Sequence, residues 1–224
     1  MKKKTIALAL VLVMVFGDTL GGTFAYLTST DTVTNTFTVG NVQIKLDEAK
    51  VNLYGEPVNT AGQTKTEYLA IAGNTEAGWV PARTDGNEYK LMPGHTYTKD
   101  PTIYVDAESE DAWLFVKVEN GIAAIEDTTS TIVAQLTAQG WQPITAGSNI
   151  YARTTANKAG DTVKVFESFK ISGTANIAGY ATEKDATTGG IAENAVNLIK
   201  ITAYAIQADG FTTAAAAWNA AGLK

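Results

Sequence analysis

The sequence predicts an all-β protein with minor helices, folded as an antiparallel β-sandwich. Three observations predict this class: the chain carries several short runs of β-branched and aromatic residues, turn signals separate these runs, and only one or two segments have a helical pattern. Its 224 residues, of which 45% are hydrophobic, can bury a core of their own. We find no internal repeat and no low-complexity linker in the sequence, so we expect one main domain.

The first predicted strand spans residues 36–46. Its alternation of apolar and polar residues changes phase at Gly40-Asn41, which predicts a bulge or a corner that keeps one face inward. Residues 52–88 are rich in Gly, Asn and Thr and indicate loops and short strands. Strands follow at 102–105 and 113–118, and the short polar connection between them predicts a hairpin. Later strands are predicted at 150–153, 163–172 and 198–207.

Two helices are predicted. The clearer one covers 129–139, because Thr and Ser residues can cap its start, Gly140 follows its end, and three apolar residues share a face, namely Ile132, Val133 and Leu136. The second lies in the Ala-rich residues 212–224, which predict a helical C-terminal tail anchored by Trp218.

The composition argues against several classes of protein. The chain has no Cys, which excludes a disulfide scaffold, a zinc ribbon, an iron–sulfur site and a thiol nucleophile. Its single His excludes nearly all catalytic triads and sites with several histidine ligands. The net charge of −6 argues against a nucleic-acid partner, which needs a basic patch. We therefore expect no enzyme activity, no cofactor, no bound metal and no nucleic-acid partner.

The N-terminus has the pattern of a secretory signal peptide. Lysines at positions 2–4 precede an apolar run over 6–16, which is shorter than the roughly 20 residues that span a bilayer. Small residues at Thr23 and Ala25 fit a signal-peptidase site, so we expect cleavage between Ala25 and Tyr26. The secreted protein would then begin Tyr-Leu-Thr-Ser-Thr. The alternative is a retained membrane anchor.

Two groups of residues are candidate metal ligands. His95 could bind zinc, but no second His accompanies it, and the alternative is an exposed histidine in a turn. Residues 106–111 could bind calcium through four carboxylates, those of Asp106, Glu108, Glu110 and Asp111. This run lacks the spacing and central Gly of an EF-hand loop, so we expect a solvated acidic turn instead.

Two further groups of residues stay open. The four tryptophans could form a carbohydrate platform, although core packing is the default for each of them, namely Trp79, Trp113, Trp141 and Trp218. Lys, Asn and Glu side chains could form intramolecular isopeptide cross-links in a surface β-domain. The sequence singles out no such triple.

The N-terminal residues resemble a known family. GGTFAY at 21–26, DT at 31–32 and NTFTVGNV at 35–42 resemble the signal region and first strand of the TasA/camelysin family of Gram-positive surface proteins, which a SipW-type signal peptidase processes. The turn Leu-Met-Pro-Gly at 91–94 is similar to the family's L-x-P-G-D turn, although His95 replaces the Asp. Later family strands are similar to 165–169 and 201–207.

The resemblance implies a jelly-roll-like β-sandwich that assembles into extracellular biofilm fibres. It also implies that the mature N-terminal segment leaves its own subunit and completes the sheet of the next one. The camelysin branch carries a metalloendopeptidase label. Nothing in this chain matches a zinc motif, so we do not extend that activity to it.

Residues 26–35 support the fibre hypothesis on their own. The segment is polar, can be extended, and has too few apolar groups to hold itself in a core, so it can add to an open sheet edge elsewhere. The side chains that would set its register are Tyr26, Thr28, Val33 and Phe37. A head-to-tail contact of this kind does not close, so it propagates a filament. The alternative is a frayed, exposed N-terminus.

These observations divide the chain into a signal peptide at 1–25, a donor strand at 26–35, a jelly-roll-like β-sandwich at 36–211 and a helical tail at 212–224. We expect a secreted structural subunit of a cell-surface or biofilm-matrix fibre of a Gram-positive-type bacterium. Its main partners would be copies of itself, with other matrix or cell-wall components as further ones. The alternatives are a camelysin-type surface metalloendopeptidase and a monomeric surface binding module, for example for glycans.

Overall fold

The computed structural model describes residues 28–32, 35–38, 41–178, 180 and 199–223, and its fold is all-β with minor helices. The predicted signal peptide, 1–25, lies outside the described residues. The strands are β1 Thr28–Thr32, β2 Asn35–Thr38, β3 Ile44–Ala49, β4 Arg83–Thr84, β5 Thr96–Thr98, β6 Thr102–Val105, β7 Ala112–Asn120, β8 Trp141–Pro143, β9 Ile150–Arg153, β10 Thr162–Lys164, β11 Ser168–Lys170 and β12 Ile199–Gln207. The helices are α1 Lys65–Leu69, α2 Ile132–Ala138 and α3 Ala214–Ala221, with 3-10 turns at Glu76–Gly78 and Ala123–Ile125.

The strands form two main antiparallel sheets that share a core. One sheet has six strands in the order β2-β1-β12-β7-β9-β8, and the other has four in the order β10-β6-β3-β4. A short pair, β11-β5, stands apart from both. Buried side chains from the two sheets belong to one apolar cluster, among them Ile44, Leu46, Ile103, Leu114, Val116 and Ala203. The expected all-β class with minor helices is therefore confirmed.

The outer face of the six-stranded sheet carries a second apolar cluster beneath α3. Even-numbered residues of β7, such as Leu114, face the shared core, whereas Trp113 and Phe115 face α3. Trp218 of α3 is 5% exposed and lies 4.9 Å from Phe115, measured between ring centres. Thr213 caps the start of this helix, and Gly222 ends it in a left-handed conformation. The helix thus lies where the sequence predicts one, with Trp218 packed inward.

The change of phase at Gly40-Asn41 coincides with a change of sheet. The predicted strand 36–46 is two strands in the structure, because β2 belongs to the six-stranded sheet and β3 to the four-stranded one. Residues 39–40 themselves lie outside the described residues. The sequence thus marked where one strand ends, although it indicated a single bent strand.

The predicted hairpin at 102–118 is wrong. β6 pairs with β3 and β10 in the four-stranded sheet, whereas β7 pairs with β12 and β9 in the other. Sheets pack about 10 Å apart, and the six residues at 106–111 can span that gap as well as turn back. The predicted strand 163–172 likewise divides into β10 and β11, which belong to different sheets.

Local helix signals have mixed outcomes. α2 begins after Thr131, whose side chain accepts a hydrogen bond from the Ala134 N–H, and Gly140 follows its end with φ +83°, as expected. Val133 does not share the buried face, because it is 50% exposed. The loop prediction for 52–88 missed α1. Its signal was present in the sequence, since Thr64 and Glu67 form a capping box at its start.

Candidate strand-exchange site

The candidate site is the outer edge of β12. Ile201, Ala203 and Ala205 face the core between the sheets, and all three are buried. Ile206 and Tyr204 belong to the cluster on the other face, where the Tyr204 ring meets Trp218 edge-on at 5.3 Å. Both faces of β12 are therefore covered, and β7 pairs with it along one edge from end to end. The opposite edge is the one that can accept another strand.

β1 lies on that edge within the same chain. Thr28 to Asp31 pair antiparallel with Ile206 to Ala203 of β12, and β2 pairs with β1 on its other side. β1 has the sequence TSTDT, which contains no apolar residue. Ordering each residue costs about 1–2 kcal/mol of backbone entropy, and burial of apolar side chains from β1 cannot offset it. The hydrogen-bonded ladders to β12 and β2 must therefore hold β1 in place.

The predicted register residues are placed only in part. Thr28 lies opposite Ile206 in β12, and Phe37 lies in β2 opposite Thr30. Tyr26 and Val33 lie outside the described residues, as does Ala25 at the predicted cleavage site. The predicted segment 26–35 contains β1 and reaches only the first residue of β2. The strand pair β1–β2 is thus a second possible unit of exchange, which the sequence did not indicate.

Charge at this edge is modest. Burial raises the pKa of the Tyr204 hydroxyl, and the carboxylate of Glu119 adds to the rise, so Tyr204 stays neutral at ordinary pH. Lys200 is exposed and pairs in register with Glu119 across β7 and β12. Main-chain pairing, rather than a charged recognition surface, is what this edge offers a partner.

The two metal candidates do not come together as a site. His95 is half-buried; its Nε2 lies 2.8 Å from the Tyr54 carbonyl oxygen, and its ring packs edge-on against Tyr97 at 4.5 Å. The alternative expected from the sequence, an exposed histidine in a turn, is therefore wrong about its exposure. It follows a turn in which Gly94 has φ +77° and the His95 N–H donates to the Met92 carbonyl.

The acidic run forms a local turn between β6 and β7. The side chains of Asp106, Glu108, Glu110 and Asp111 are exposed, and the Glu108 N–H donates to Asp106 Oδ1 at 2.8 Å. Across the described residues, no three or more His, Asp or Glu side chains gather in a way that could hold a metal ion. The expectations of no metal and no enzyme activity remain predictions.

A cleft of about 250 Å³ lies between α3 and the β8–β9 edge of the six-stranded sheet. Trp113 and Arg153 line it, and within the described part of the chain Trp113 Nε1 and Arg153 Nε are buried without hydrogen-bond partners. The Arg153 guanidinium also lies over the Trp141 ring, 5.6 Å from its centre. The sequence analysis missed this cleft, since its walls come from four separate segments.

Comparison with protein-family models, with curated proteins and with solved structures finds no match to this chain. Among the residues that the structure describes, no helix is long and apolar enough to cross a membrane.

Proposed function

We propose that this chain is an exported structural subunit of an extracellular fibre, in which β1 of one subunit occupies the β12 edge of the next. The observation that carries the proposal is the place of β1: a polar strand at the chain's N-terminal side, paired with a β12 that is buried on both faces. The resemblance of residues 21–42 to the TasA/camelysin family supports the same function.

A jelly-roll-like arrangement is part of this proposal. It is supported by two antiparallel sheets around one core and by a chain that crosses between them after β2 and after β6. Repeated crossing between two sheets is how jelly rolls enclose their core.

Exchange of β1 would keep the same register pairs in the monomer and in the fibre. The free energy of the β1–β12 ladder then cancels between the two states, as in domain swapping. The free energy of assembly is then set by two terms: the entropy cost of bringing subunits together and the gain from any new contacts between them. Assembly should therefore depend strongly on protein concentration and on the rate at which β1 leaves its own sheet.

Deletion of residues 26–35 tests the proposal in the chain that begins at Tyr26. We expect a folded monomer that forms no filaments in negative-stain images. Thr30→Pro should act in the same direction, because Thr30 pairs with both neighbouring strands and Pro cannot donate to a ladder. Thr30→Ser is the matched control and should assemble normally. Filaments of ordinary shape from the truncated protein would refute the proposal. Unfolding of the truncated monomer would favour the monomeric binding module.

A register disulfide identifies which chain contributes β1. The chain has no Cys, so Ser29→Cys/Ala205→Cys places one pair of thiols across β1 and β12, which are register partners. Fibres oxidised after assembly should run as covalent multimers on a denaturing gel. The control Glu119→Cys/Lys200→Cys joins β7 to β12 and should stay within one chain. A single-chain disulfide in both variants would mean that β1 is not exchanged.

The monomeric binding module remains a second candidate because of the cleft under α3. Two buried donors there, Trp113 Nε1 and Arg153 Nε, could bind ligand oxygens such as those of a glycan. Titration of cell-wall oligosaccharides, followed by tryptophan fluorescence, tests it. Trp113→Phe should weaken any binding, because it removes one donor and keeps an aromatic ring; calorimetry measures it, since this variant lacks the reporting indole.

A further inference from the structure

A buried amine and a carboxamide share one carboxylate beside β3. Glu48 of β3 and Lys99, which follows β5, are 4% and 8% exposed. Lys99 Nζ lies 2.6 Å from Glu48 Oε2, and Asn87 Nδ2 donates to Glu48 Oε1 at 2.8 Å. Each oxygen of the Glu48 carboxylate thus contacts a different nitrogen, one from Lys99 and one from Asn87. The three residues come from separate segments of the chain.

Two further hydrogen bonds to the main chain fix the side-chain amide of Asn87. Its Nδ2 donates to the Ala49 carbonyl at 2.8 Å, and its Oδ1 accepts a hydrogen bond from the Val51 N–H at 2.8 Å. The nearby carboxylates of Asp47 and Asp100 are neutralised by Arg83, at 2.7 and 3.0 Å. Glu48 is therefore the acid that faces both Lys99 and Asn87.

Tyr89 lies beside this cluster, in which Glu48 and Lys99 are buried and Asn87 is half-buried. Tyr89 packs against Tyr97 and Phe169, with ring centres 5.6 and 5.0 Å away. Burial raises the pKa of the Tyr89 hydroxyl, and the Glu48 charge adds to this effect. Burial of Glu48 and Lys99 strengthens the electrostatic interactions that direct the reaction.

We propose that Lys99 and Asn87 form an intramolecular isopeptide bond, with Glu48 as the group that moves the protons. Glu48 Oε2 accepts a proton from Lys99 Nζ, and the neutral amine attacks Asn87 Cγ. The Val51 N–H stabilises the negative charge that develops on Oδ1. Glu48 then delivers this proton to Nδ2 through Oε1, and the Cγ–Nδ2 bond breaks to release ammonia. Glu48 carries the second proton lost by Nζ to that ammonia, which leaves as an ammonium ion.

The reaction balances without an oxidant or cofactor. A lysine ammonium and an asparagine carboxamide become a secondary amide and an ammonium ion, and Glu48 ends in its initial state. The new bond would join residues 87 and 99 across the Pro93-Gly94 turn, beside β3. The alternative is a permanent buried ion pair that Asn87 merely caps, which leaves the chain's mass unchanged.

Peptide mass spectrometry of the folded, purified protein tests the proposal. Trypsin does not cut after an acylated lysine, so peptide 84–90 should be recovered joined to peptide 91–117, with a combined mass lower by one ammonia molecule. Recovery of free peptides 84–90 and 91–99 would overturn the proposal. Loss of ammonia from peptide 84–90 alone would also overturn it, because that result indicates a succinimide at Asn87.

Matched variants test the role of Glu48. Glu48→Gln should abolish the joined peptide, and Asn87→Ala should do so as well. Asp127→Asn also replaces a carboxylate that pairs with a lysine, Lys170, and should leave the joined peptide intact. A joined peptide at full yield in Glu48→Gln would refute the proton-transfer role. If that variant does not fold, the result from the unmodified protein still decides whether the bond exists.

Discussion

Asp127 illustrates how single contacts set the response of this protein to acid. The Thr129 hydroxyl donates to Asp127 Oδ1, and Lys170 Nζ lies 2.9 Å from Oδ2. The hydrogen bond from Thr129 is the larger cause and Lys170 the next, and both lower the pKa of Asp127. The folded state thus holds this carboxylate charged at a pH where the unfolded chain, with a pKa of about 3.9, has already taken up a proton.

The sign of the pH dependence follows from that lowered pKa. Asp127 should stabilise the fold above about pH 4, and its contribution should be lost as the pH falls towards the folded value. Lys170→Met should raise the pKa of Asp127, and Thr129→Ala alone should raise it by more, because Thr129 is the larger cause. NMR titration of the Asp127 carboxyl carbon measures the pKa in each variant. Lys65→Met, far along the chain, is the control. An Asp127 that titrates near 3.9 in the unmodified protein would contradict this explanation.

Its neighbour Glu126 should have the opposite effect. Burial raises the pKa of Glu126, although its Oε1 accepts from the Ile132 N–H at 3.0 Å and its Oε2 from Asn120. The folded state therefore binds a proton more readily than the unfolded chain. Its contribution to stability is present at low pH and declines as the pH rises through the folded pKa.

At the scale of elements, α3 depends on one side chain. Trp218 fills the space between α3 and the outer face of the sheet, so Trp218→Ala should destabilise the protein by about 3–5 kcal/mol. Urea unfolding, read by far-ultraviolet circular dichroism, measures the change. Val133→Ala on α2 is the control, because Val133 is half exposed; it should change the free energy of unfolding by less than about 0.5 kcal/mol. Equal effects of the two changes would mean that α3 is not anchored through Trp218.

The elements also show what the sequence could predict. β9 and β12 lie within a residue of their predicted bounds, because alternation along a strand is a local property. Which strand pairs with which depends on residues far apart in the sequence, so the predicted pairing of β6 with β7 was wrong. α1 has no buried residue, so an apolar periodicity could not have predicted it. The capping box at its start was the one available signal for a helix.

At the scale of the whole molecule, the candidate site was predicted in part. The polar character of 26–35 is visible in the sequence, whereas the acceptor edge of β12 depends on the four-stranded sheet and α3, which pack on its two faces. The Glu48, Lys99 and Asn87 cluster was not predictable for the same reason. Their side chains meet only after β3 and the segments around β5 come together, so the sequence offered many equivalent combinations.

The position of β12 between β1 and β7 has a consequence for amide hydrogen exchange. In an antiparallel sheet successive residues of a strand direct their N–H groups to opposite neighbours. Along 203–206, which pairs with both β1 and β7, amides facing β7 should exchange only on global unfolding, while those facing β1 should exchange whenever β1 departs. We therefore expect slow and fast amides to alternate residue by residue in the monomer. Uniform protection along 203–206 would mean that β1 leaves only when the whole sheet opens, and subunits would then have to unfold before they could join.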